Sequence, residues 1–197
     1  MMKSHLLLSK RPIHLGLLSL LFLLPSHYFG QTNDIYRIAE GERRIAIHFQ
    51  SQLNTYRLES GKDSLIWNER LYVAAMNHST WMMNSNKITH KETSGDSIFT
   101  GKTVNDRINF VTNRSDELYC GENILYFPFD LSKEGVMSDE EAWLIADLAF
   151  ENWKSLKGHN KNMLHHYLLH GAAFKYANGF IWATNVFSCE GDYESLP

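Results

Sequence analysis

Apolar side chains at Ile45, Phe49, Leu53 and Tyr56 recur at helical spacing and share one face, and Gly61 follows as a stop signal. The spacing predicts a first helix from about Ile35 to Ser60. A second stripe, Leu71, Ala75, His78 and Met82, begins behind Asn68, a residue suited to capping a helix N-terminus. A short helix is expected after Thr103. The run Ser138-Asp139-Glu140-Glu141 has the form of a capping box and opens a helix that should bury Ala142, Ile145, Ala149, Trp153 and Leu156. Between these helices Tyr119 to Phe127, YCGENILYF, reads as a strand closed by Pro128. Two further strands, about Leu168 to Tyr176 and Phe180 to Phe187, are joined through Asn178-Gly179, a strong hairpin signal. Helices first, then strand, helix and hairpin, describe an α+β domain with helices packed on an antiparallel sheet.

One polar position breaks the pattern. In the two-residue alternation of YCGENILYF, Glu122 shares a face with Cys120, Ile124 and Tyr126 and so points where an apolar residue should point. Burying a lone carboxylate costs roughly several kcal/mol, so Glu122 needs a cation, a set of N–H donors or a metal beside it.

The N-terminus is set apart by its charge and hydropathy. Lys3, Lys10 and Arg11 precede the apolar run Leu15 to Leu24, which Pro25 and Ser26 terminate. That run is about half of a membrane crossing, and basic residues before a short apolar block describe a secretory signal peptide. Residues 1–30 are expected to be removed after Gly30. No later stretch approaches a transmembrane span, so the mature chain is expected to be soluble. Losing three of the 19 basic residues leaves 16 against 22 acidic ones, a net charge near −6, which disfavours nucleic acid as a partner. The remaining 167 residues suit one domain, with no repeats or low-complexity tracts.

Cys120 and Cys189 are the two cysteines of a chain bound for an oxidising compartment, where a disulfide is the default expectation. Closing a loop of about 70 residues would stabilise the fold by roughly 4 kcal/mol on the chain-entropy account. The alternative is two buried thiols. Several motifs are dismissed. The run GDSIFTGKT lacks the leading glycine of a phosphate-binding loop at the required position, leaving Thr100 to Thr103 as a polar loop. His166 and His170 stand four apart, but Gly171 and the strand that follows argue against one helix carrying both as metal ligands. His78, on an apolar stripe, reads as a core histidine with satisfied ring nitrogens.

A resemblance now gathers these residues. Asn54-x-x-Arg57-x-x-x-Gly61, the segment LIWNERLYVAAMNHSTWM, Thr89-His90, Cys120-Gly121-Glu122-Asn123-Ile124, Trp153 with Gly158-His159, and FIWATNVF follow in the order of the CAP superfamily. That superfamily comprises cysteine-rich secretory proteins, antigen 5 and plant pathogenesis-related proteins, and the chain most resembles its short bacterial secreted members. The match runs over residues 45–188, after a lead-in at 31–44 and before a tail at 189–197.

The resemblance implies a three-layer α-β-α sandwich with a small antiparallel sheet and a cleft lined by two histidines and two glutamates, sometimes holding zinc or another divalent cation. Carried over, the cleft residues are His90, Glu122 and His159, with Asn123 and Ser155 beside them. The second family glutamate is missing, because Leu156 occupies its place. Two imidazoles and a carboxylate are a legitimate zinc set that leaves a position for water. The same three residues can instead form a hydrogen-bonded polar cluster. The first alternative implies a zinc-dependent hydrolase or protease using His90, Glu122 and His159. The second implies a secreted, non-catalytic binding module for a lipid, a peptide or a cell-envelope component.

Overall fold

The computed structural model describes residues 26–95 and 98–189, with side chains from residue 37 onward. Residues 1–25 of the expected signal segment 1–30, and the tail beyond 189, lie outside the described residues. Helix α1 runs Ser26–Glu59, so its first turns fall in the stretch assigned to signal cleavage. Its apolar stripe behaves as predicted, with Ile45, Phe49 and Leu53 fully buried. A two-residue strand β1, Ile66–Trp67, leads into α2, Glu69–Ser85, where Asn68 Oδ1 accepts from the amides of Arg70 and Leu71. Helix α3, Val104–Thr112, and helix α4, Asp139–Ser155, both open with complete capping boxes, on Thr103 with Asp106 and on Ser138 with Glu141. Between them runs β2, Cys120–Pro128. A seven-residue helix α5, Lys157–Met163, precedes β3, Leu169–Ala177, and β4, Phe180–Ser188. The β3–β4 turn places Asn178 and Gly179 at φ 52° and 78°, the left-handed pair that a tight two-residue hairpin needs.

The four strands form one sheet in the order β1-β3-β4-β2. Both long pairings are antiparallel, while β1 joins β3 in parallel, so the sheet is mixed rather than purely antiparallel. Strand alternation sends Phe174, Ile181, Ala183 and Phe187 to one face, where they pack with α1 and α4. There Phe49 meets Trp153 edge-on at 5.1 Å and Phe174 at 5.8 Å. The opposite face carries Leu169, Ala173 and Val186 against α2 and α3. The result is the α-β-α sandwich that the resemblance implied. Gly171 makes the α2 layer possible, since a Cβ there would lie 2.1 Å from the amide nitrogen of Tyr72.

Two expectations need correction. Leu156 is not buried at the end of α4: the helix stops at Ser155, and Leu156 takes an extended conformation with 47% of its surface exposed. The expected disulfide is also absent, for Cys120 and Cys189 are not bonded to each other. The ladder explains why. Cys120 is in register with Ser188, and Cys189 donates its amide to Tyr119, so the two cysteines are one step apart and face opposite sides of the sheet. Cys120 packs on the α2 side, whereas Cys189 packs on the α1/α4 side, its Sγ 3.0 Å from the carbonyl of His166.

Candidate functional site

Glu122 lies on β2 facing α2 and α3, as its alternation requires, and is 7% exposed. Its partners come from two other segments. His90, in the loop between α2 and α3, brings Nδ1 to 2.9 Å from Oε1, while Arg107 of α3 donates Nη2 to Oε2 at 2.5 Å. Burial pushes the Glu122 carboxyl up, but the His90 hydrogen bond and the charges of Arg107 and His78 outweigh it and hold the group below the usual carboxylate range. An ionised carboxylate only accepts, so His90 Nδ1 is the donor and Nε2 is its remaining ring nitrogen. The His90 side chain is 53% exposed, so the pair stands at the surface end of a buried charge.

Arg107 is the cation that Glu122 demanded, and the sequence reading missed it. A signal existed: Val104, Arg107, Ile108 and Val111 are spaced as one helical face, which puts a guanidinium on an apolar stripe. It is fully buried, with further bonds of 3.4 Å to the carbonyls of His90 and Gly101. Glu92 was missed as well, and no pattern marks it, because it sits in the irregular loop. It is 3% exposed and places Oε1 at 2.9 Å from His78 Nδ1 and 3.7 Å from Arg107 Nε. Its Oε2 accepts the amide of Thr100 at 3.0 Å. His78 is the core histidine expected from its stripe, with Nε2 donating to the carbonyl of Thr89 at 2.9 Å.

His159, on α5, is half-buried, and its proton affinity is lowered first by burial and then by the nearby charge of His90. Its side chain makes no hydrogen bond to Glu122, and its Nδ1 is enclosed without a partner among the described residues. Asn123 points to the other face of the sheet and ties α5 down, donating Nδ2 to the carbonyl of His159 at 3.1 Å. Asn162, a further residue that sequence reasoning missed, donates to Asn123 Oδ1 at 2.9 Å and to the carbonyl of Glu122 at 3.3 Å. Ser155 is exposed and donates back into its own helix, to the carbonyl of Asn152, rather than into the cleft.

The arrangement is a hydrogen-bonded chain. Both Glu122 oxygens are engaged by N–H donors, and a zinc ion would have to displace either His90 Nδ1 or the buried Arg107. Among the described residues, no three His, Cys, Asp or Glu side chains are arranged to hold a metal. The donor set therefore does not fit the three-ligand zinc site of His90, Glu122 and His159. What it offers is an imidazole oriented by a carboxylate, with a second imidazole nearby.

The sandwich is the fold of the CAP class, and here it sets a histidine loop over a glutamate of the central sheet. The profile of the cysteine-rich secretory protein family matches residues 50–170, and the chain belongs to that family. Solved structures that share the fold include the following two. One is an extracellular protein containing an SCP domain from Bacillus anthracis str. Ames, at TM-score 0.55 and 21% identity, covering 76% of this chain and 41% of that one. The chain thus spans less than half of that protein. The other is an outer surface protein from Borrelia burgdorferi, at TM-score 0.52 and 13% identity, covering 71% of this chain and 87% of that one. No curated protein matches the sequence.

Proposed function

We infer that the chain is an exported, non-catalytic binding module whose cleft presents His90 Nε2 and His159 to a lipid, a peptide or a cell-envelope component. The observation that carries this reading is the engagement of both Glu122 oxygens, which makes Glu122 the orienter of His90 rather than a free base or a metal ligand. Leu156 in place of the family's second glutamate removes the other candidate base and leaves an exposed apolar side chain there instead. Export is supported by the basic and apolar N-terminal run, and by the extracellular and outer-surface origins of the two structural neighbours. No helix among the described residues is long and apolar enough to cross a membrane.

The test is native mass spectrometry of the protein recovered from culture medium without delipidation, beside its His90→Ala and His159→Ala variants. A co-purifying organic mass that both variants lose is the expected result. A stoichiometric divalent ion lost in both variants would replace this reading with the zinc-dependent hydrolase.

A further inference from the structure

The buried base of the cleft contains two carboxylates, Glu92 and Glu122, one guanidinium, Arg107, and one enclosed imidazole, His78. The His78 ring lies flat over Trp81, with 6.0 Å between ring centroids and 7° between planes, which fixes where its nitrogens point. Nε2 faces the carbonyl of Thr89, which can only accept, so Nε2 carries a proton. Nδ1 faces Glu92 Oε1 at 2.9 Å. Glu92 also receives the amide of Thr100 and lies 3.7 Å from the Arg107 guanidinium. An ionised Glu92 can only accept from Nδ1, so the ring fits as a donor on both sides. Glu122 Oε1 lies a further 3.8 Å from Nε2. With His78 charged, the enclosed cluster balances two anions with two cations, the condition under which buried charges persist.

The cluster also determines where His90 stands. Glu92 is two residues from His90 in the same loop, and it pins that loop at three points: its amide to the carbonyl of Lys102, its Oε2 to Thr100 and its Oε1 to His78. Arg107 holds the carbonyl of His90 and, through its other bond, Glu122. We propose that His78 and Glu92 are positioning residues of the cleft: a buried imidazolium–carboxylate pair that, together with Arg107, fixes the loop so that His90 rests on an ionised Glu122 with Nε2 turned to the ligand. This deepens the binding-module reading and rests on it only for the ligand; the ring geometry stands by itself.

The experiment is imidazole nitrogen–proton correlation NMR at neutral pH on the full chain and on Glu92→Gln, Glu92→Asp and His78→Gln. In the wild type His78 should show protons on both ring nitrogens. Glu92→Gln should remove the Nδ1 proton, because the amide can donate to that nitrogen, and should shift the His90 ring signals although Glu92 does not touch His90. Glu92→Asp keeps the charge and should restore the doubly protonated ring. A neutral His78 in the wild type overturns the proposal, as does a His90 ring that neither Glu92→Gln nor His78→Gln disturbs. If Glu92→Gln fails to fold, the wild-type ring and the Glu92→Asp spectrum decide the matter. If His90 shifts as expected but His90→Ala still retains the co-purifying mass, the positioning role survives and the binding reading fails.

Discussion

His90 Nδ1 and Glu122 Oε1 lie 2.9 Å apart, the one exposed over half its surface and the other almost fully enclosed. The carboxylate stays ionised because the His90 hydrogen bond, with the charge of Arg107 beneath its second oxygen, outweighs the cost of burial. Glu122→Gln keeps the shape and removes the charge, leaving Arg107 without its close anion. Breaking a buried pair in this way costs roughly 3–5 kcal/mol. Urea unfolding of wild type and variant at neutral pH measures the loss, and a difference below about 1 kcal/mol would show that the charge is not needed there.

Zinc binding separates an orienting Glu122 from a ligating one. With both oxygens engaged by N–H groups, any zinc affinity should come from histidine nitrogens, and Glu122→Gln should weaken it by no more than the roughly hundredfold that losing an orienting carboxylate costs. Calorimetric titration of both proteins with zinc checks this. A weakening in the variant well beyond a hundredfold, more than about 2.8 kcal/mol, would restore Glu122 as a ligand.

Acid should unfold the protein through His170 before it reaches Glu122. His170 is fully buried between Trp67 and Phe187, and burial lowers its pKa to about 4, the Asn185 hydrogen bond opposing. The unfolded chain takes up this proton near pH 6.5, so stability is complete above that value and falls as pH drops toward 4, by on the order of 3 kcal/mol. Glu122, whose folded pKa is depressed, contributes above the ordinary carboxylate range and loses its contribution only as pH falls further. Urea midpoints between pH 7 and 4 should therefore decline steadily, and His170→Asn should flatten that decline.

Arg57 joins three chain segments. Its guanidinium donates to the carbonyls of Asp63, Met163 and His165 at 2.8, 2.6 and 3.0 Å, so it closes the end of α1 onto the end of α5. Arg57→Leu leaves those carbonyls without donors and should cost roughly 2–4 kcal/mol. Thermal unfolding checks the size of the effect, and hydrogen exchange should place it first at α5.

Gly171→Ala tests the contact between β3 and α2. The new methyl would meet the α2 backbone at 2.1 to 2.7 Å, with no flexible side chain to give way. Helix and strand must separate, at roughly 3 kcal/mol or more. An alanine variant with wild-type unfolding behaviour would mean that helix and strand have room to spare at this contact.

How far the sequence reaches is visible element by element. The apolar stripes of α1, α2 and α4, the capping residues Asn68, Thr103 and Ser138, and the Asn178-Gly179 turn depend on neighbours a few residues away, and the chain places them where its pattern indicates. The face of Glu122 follows from strand alternation alone, which is why its need for a partner could be read before any partner was known. The resemblance supplied His90 and the layer order. The identity of the partner is another matter. Arg107 reaches Glu122 across 15 residues and Glu92 reaches His78 across 14, from an α3 stripe and from a loop with no periodicity, so no local rule pairs them. Cys120 and Cys189 show the opposite failure. Compartment and count argued for a bond, but register places the two side chains on opposite faces of the sheet. Leu156 follows the helical stripe in spacing but stands one residue past the end of α4, where the backbone turns extended and exposes it. Local periodicity determines which way a side chain points, because it follows from the geometry of a single element. Which charges meet beneath the cleft is decided only when α2, α3 and the sheet pack together, because burial is what makes each of those charges require another.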